Sequence, residues 1–162
     1  MSSLLTAFTI FHVLLSLVGI ATGFVVILAM LRGHRPTMLT AVFLGTTLAT
    51  TVTGFMFPSY ANGLTPAHKL GFIALAANIM AVVALYQQHL AGRWRTAYVL
   101  SAIFSQYLDV FVLILQSFQK VPFLHTLAPT QTNEPAFLVA QTVALVVFIA
   151  LAVMAPKKFR AA

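Results

Sequence analysis

Five stretches of this chain are built to avoid water. Residues 4–31, 37–57, 70–90, 97–118 and 136–155 are long, apolar and almost free of charge. A hydrocarbon core about 30 Å thick is crossed by roughly 20 apolar residues in a helix. A backbone in lipid must satisfy its own hydrogen bonds, so only helices or a closed barrel can cross. Barrel strands take about ten residues with alternating polarity. These runs are far longer and apolar on most sides. The expectation is an all-α integral membrane protein, with residues 1–162 forming one transmembrane domain of five helices. Helix breakers mark the exits: Arg32-Gly33-His34-Arg35-Pro36, Pro58, Ala91-Gly92-Arg93, Lys120-Val121-Pro122 and Pro156.

Composition removes the main alternatives. Only 7% of the 162 residues are charged and 60% are hydrophobic, where soluble chains carry about 25% charge. That excludes an ordinary soluble enzyme, a disordered tail and a nucleic-acid-binding domain. With no cysteine there is no disulfide framework, no iron–sulfur cluster and no thiol nucleophile. Met1-Ser2-Ser3 lacks a basic leader, so the first apolar run reads as a retained helix and not as a cleaved signal.

The charges suggest an orientation. Arg32, Arg35, Arg93, Arg95, Lys157, Lys158 and Arg160 all fall on one side if five helices alternate in direction. Lys69, Lys120 and Glu134 fall on the other. The positive-inside rule then places the N-terminus outside and the C-terminus in the cytoplasm. Trp94 and Tyr98 read as an anchor at the cytoplasmic boundary. Connections are short, so consecutive helices should pack antiparallel. The longest, residues 119–135, carries three prolines and is expected to lack regular structure. No internal repeat of the kind many transporters carry is visible.

Small residues supply candidate packing faces. Gly19 and Gly23 form a GxxxG, which serves either an intramolecular contact or a homo-oligomer. The second run is rich in threonine, whose hydroxyls commonly bond back to the preceding turn.

Asp109 is the one acid inside any run, about nine residues, roughly 14 Å, from the end of its helix. An aspartate at that depth costs about 2.5–3.5 kcal/mol on insertion scales. Ser101, Ser105, Asp109 and Gln116 fall within about 80° on a helical wheel, with Tyr98 and Gln119 on the same side. Gln106 and Ser117 fall off that stripe. His12, Thr50, Asn78 and Gln141 lie at similar or shallower depth on the other runs, and Gln116 lies nearer the outer end of Asp109's own run. Together with Asp109 they predict an outward-facing polar pocket that binds a small ligand or a proton, in a carrier, a sensor or a complex subunit. A second reading is a redox component holding b-type haem or quinone near His12 and His68. A third is an accessory subunit of a larger membrane complex. No catalytic fingerprint is present, and the ligands are too few for a dedicated metal site, so the reading leans away from an enzyme.

The segment Tyr107-Leu108-Asp109-Val110-Phe111-Val112-Leu113, with Gln116-Ser117-Phe118 and Leu127-Ala128-Pro129-Thr130-Gln131, resembles a group of small bacterial inner-membrane proteins of unknown function. The resemblance covers about the C-terminal half. It implies a bacterial inner membrane and brings no activity. Size and helix number are also similar to the tryptophan-rich sensory/translocator family, which binds porphyrins. This chain has a single tryptophan and lacks that family's motifs, so the likeness is one of size alone.

Overall fold

The computed structural model describes residues 3–35, 37–57, 66–130 and 134–160. Helices α1 (Ser3–Leu31), α2 (Thr37–Gly54), α3 (Pro66–Val82), α4 (Trp94–Lys120), α5 (Pro122–Leu127) and α6 (Pro135–Lys158) account for most of them. A π-helical turn, Val83–Gln87, extends α3. Five of these elements are long and apolar enough to cross a membrane: α1, α2, α3 with its π turn, α4 and α6. Among the described residues there are no strands. Two of the expected breakers, Pro36 and Pro58, and Gln131 of the resembling segment, lie outside the described residues.

Prolines act differently at two places from what the sequence suggests. In the long connection Pro122 starts α5 instead of preventing it. A proline at the first helical position gives up an N–H that has no partner there anyway. Pro156 does not end α6, which runs on to Lys158. Its missing N–H falls in the last turn, and the Phe159 N–H closes that turn on the Ala155 carbonyl at 2.8 Å.

Helix α4 is the axis of the bundle and touches every other helix. Its neighbours α1 and α2 pair extensively with each other, α3 bridges α2 and α4, and α6 lies against α4 and α1. The buried positions of α6, Phe137, Gln141, Phe148 and Ala155, repeat at four or seven residues. That is one helical stripe, and the rest of α6 faces outward, with Val139 61% and Val146 60% exposed. Large apolar side chains are exposed on α1, α3 and α4 as well. A surface of this kind suits hydrocarbon and would aggregate in water.

The bundle has two unlike halves. One end gathers the α1–α2 turn, the α3–α4 turn and the chain after α6, and is called the basic end here. Next to it lies the main apolar core, with Val26, Ile27, Met30, Phe43, Leu44, Val99 and Ile103 at its centre. The opposite end has a much smaller apolar cluster of Phe118, Ala128 and Phe137. Thr47, Asn78, Ser105 and Gln106 are buried beyond the main core, whereas Thr40, Tyr98 and Ser101 are buried at its level.

The α3–α4 turn is tight. The Leu90 N–H reaches the Ala84 carbonyl at 3.0 Å, and His89 and Leu90 adopt φ of 48° and 59°. Left-handed backbone costs a non-glycine residue roughly 1–2 kcal/mol. Burial of Leu90 in the apolar core offsets that at its own position. His89 is exposed and has no such return.

Candidate functional site

Gly19 and Gly23 seat two polar side chains of the same chain. A Cβ at Gly19 would stand 3.1 Å from the Thr47 hydroxyl and 3.2 Å from that of Thr46. A Cβ at Gly23 would collide with the Gln106 amide and with Phe43. The missing Cβ atoms therefore let Thr47 of α2 and Gln106 of α4 lie on the backbone of α1. Gln106 donates its Nε2–H to the Ile20 carbonyl at 2.8 Å. The GxxxG face is thus filled within the chain by α2 and α4.

Gln106 lies off the polar stripe and is fully buried on another face of α4, against α1. A helix packed on several sides has no single inward face, so a wheel drawn for one stripe overlooks residues on the others. The signal that would have found it is a glycine at matching depth on a neighbouring helix.

The hydroxyls divide into two groups. Thr46, Thr51, Thr53 and Ser101 bond back to carbonyls of the preceding turn, at 2.6–2.9 Å to the residue four earlier. Thr40, Thr47, Thr50 and Ser105 do not, and their buried oxygens meet no partner in full hydrogen-bond geometry, though the Thr40 and Tyr98 hydroxyls face each other. Both amide atoms of Asn78 and Oε1 of Gln106, Gln116 and Gln141 are buried without a partner. Natively buried polar atoms are nearly always paired, with protein or with ordered water. These groups form a polar seam inside the bundle, drawn from α2, α3, α4 and α6.

Asp109 stands in this seam. From Trp94 to Asp109 is fifteen residues of α4, about 22 Å along the axis. The Thr47 hydroxyl faces its carboxyl group without meeting full hydrogen-bond geometry. Helices α1, α2 and α4 therefore meet at Gly19, Thr47 and Asp109.

The remaining predicted site residues sit as follows. Asn78 is fully buried on α3. Thr50 is half-buried, one turn from Thr47 on α2. Gln141 donates Nε2–H to the Phe111 carbonyl of α4 at 3.1 Å. Gln116 lies two turns beyond Asp109 toward the end of α4 that is remote from the basic end.

His12 is half-buried near that same end. Its Nδ1 is 2.8 Å from the Thr53 hydroxyl, and its ring meets Phe57 edge-on with centroids 5.0 Å apart. The Thr53 hydroxyl spends its one proton on the Ala49 carbonyl at 2.8 Å. Lys120 stands near enough for its charge to act on the ring. His68 stacks on Phe55 with centroids 6.0 Å apart. Among the described residues no three His, Cys, Asp or Glu side chains cluster as metal ligands would.

Comparison with protein-family models, curated proteins and solved structures finds no match to this chain.

Proposed function

We propose that this is a non-enzymatic protein of the bacterial inner membrane, whose seam around Asp109 binds a proton together with ordered water. The observation that carries the reading is the set of buried, unpaired polar atoms that share the seam with the only acid in the apolar runs. An unpaired buried amide or hydroxyl costs about 1–3 kcal/mol, and Asn78 alone contributes two such atoms. Water removes that cost, and water beside a carboxyl group is a path for a proton. Seven basic residues at one end support an orientation with that end in the cytoplasm. Asp109 is then reached from the outer face, past His12, Gln116 and Gln141.

The apolar core between Asp109 and the basic end argues for binding without free passage. Val26, Ile27, Met30, Phe43, Val99 and Ile103 fill that stretch, and the buried hydroxyls at its level, Thr40, Tyr98 and Ser101, bring no carboxylate or imidazole on which a proton could rest. This favours a sensor or a gated carrier over an open channel.

The test is infrared difference spectroscopy on the full chain reconstituted in vesicles. In a Glu134→Gln background, a carboxylic acid C=O band that grows and fades with external pH is expected, and adding Asp109→Asn should remove it while leaving the amide bands of the folded bundle intact. A band of unchanged size after Asp109→Asn is added, or no such band before it, refutes the assignment.

A further inference from the structure

The basic end has no side-chain acid to balance it. The two acidic residues of the sequence are Asp109, about 22 Å up α4, and Glu134 at the opposite end of α6. Four of the cations converge instead of spreading. Arg32, Lys157, Lys158 and Arg160 line an open cavity of about 480 Å³ together with Leu31 and Gly33. All four are exposed.

The cavity is built from two segments far apart in the sequence. Gly33 has φ of +84°, and its N–H turns back to the Met30 carbonyl at 3.0 Å. A Cβ at Gly33 would stand 3.4 Å from the Lys158 carbonyl, so the α1–α2 turn abuts the end of α6. On the other wall Phe159 is 1% exposed, and its ring packs on Tyr98 with centroids 5.8 Å apart. Burial of Phe159 fixes Lys158 and Arg160 on either side of it.

Four like charges around one open cavity attract an anion. The C-terminal ends of α1 and α6 contribute about half a negative charge each, which leaves roughly three positive charges unbalanced. A positive-inside bias accounts for cations at this end but not for their gathering. Arg93, for comparison, lines a different cavity with Met80, Trp94, Thr96 and Ala97 and no second cation. Arginine forks and lysine point charges around one concavity are the chemistry that holds phosphate oxygens. We infer that this cavity binds a phosphate group, carried by an anionic lipid headgroup or by a free phosphate compound. The inference is independent of the role of Asp109.

The experiment is native mass spectrometry of the full chain in detergent, with phosphatidylglycerol, zwitterionic phosphatidylcholine and inorganic pyrophosphate as probes. Phosphatidylglycerol should bind about tenfold or more tightly than phosphatidylcholine, given several basic residues acting together. Lys157→Gln/Lys158→Gln should lower that affinity about tenfold, and Arg32→Gln on the facing wall should lower it too. Arg93→Gln/Arg95→Gln removes as much charge from the same end and should change it by less than about twofold, since screened charges act locally. Displacement of the lipid by pyrophosphate assigns the site to a free phosphate compound, and failure to displace assigns it to the lipid headgroup. Equal binding of the two lipids, equal losses in the two double variants, or no loss in Arg32→Gln overturns the inference.

Discussion

Gly23→Ala is the substitution that most sharply tests how the bundle closes. The added Cβ would meet the Gln106 amide, with Cδ at 2.6 Å, and Phe43 Cε2 at 2.8 Å. Neither neighbour can yield cheaply. If Gln106 swings away, it loses the bond to the Ile20 carbonyl and leaves a buried amide unpaired, at about 1–3 kcal/mol. Phe43 is completely buried, and overpacking around it costs about 1–3 kcal/mol more. Alanine returns up to about 1 kcal/mol of helix propensity. The net expectation is a loss of roughly 3 kcal/mol. Gly45→Ala is the control, because a Cβ there meets nothing within 4 Å, and it should be neutral or more stable by up to about 1 kcal/mol. Reversible unfolding in detergent, followed by the fluorescence of the single tryptophan, measures both. Adding Gln106→Ala to Gly23→Ala should recover the amide part of the loss and leave the Phe43 part. Equal stability of Gly23→Ala and Gly45→Ala would refute the packing argument.

Three further outcomes follow from single contacts, all read by the same unfolding assay. His89→Gly should stabilise the protein by about 1 kcal/mol, because it relieves a left-handed backbone position at an exposed side chain. Thr53→Val should destabilise by about 1 kcal/mol through loss of the His12 Nδ1 partner, whereas Thr53→Ser should not. Gln141→Leu should change stability by less than about 1 kcal/mol, since it removes one bond and one unpaired oxygen together.

The helical elements could be read from the sequence because hydrocarbon imposes a length and forbids exposed backbone polarity. Gly92 and Gly33 were legible as turns for a similarly local reason, and both take positive φ. The long connection was not, since Pro122 reads as a breaker unless its place at a helix start is known. Asp109 stood out on charge alone. Its surroundings did not, because they depend on which helices meet. The pairing of Gly19 with Thr47 and of Gly23 with Gln106 joins residues on three helices, and no periodicity within one helix carries that information. The division of the hydroxyls was equally hidden. Thr46 and Thr47 are adjacent and chemically identical, yet one bonds back to its own helix and the other faces Asp109.

The measurement that bears most directly on the hydrated seam is an experimental structure at a resolution that shows ordered water. The account predicts water bonded to both amide atoms of Asn78, and water bridging the Thr47 hydroxyl and the Asp109 carboxyl group. A dry interior, in which Asn78, Thr47, Ser105 and Gln106 satisfy one another through other rotamers, would contradict it.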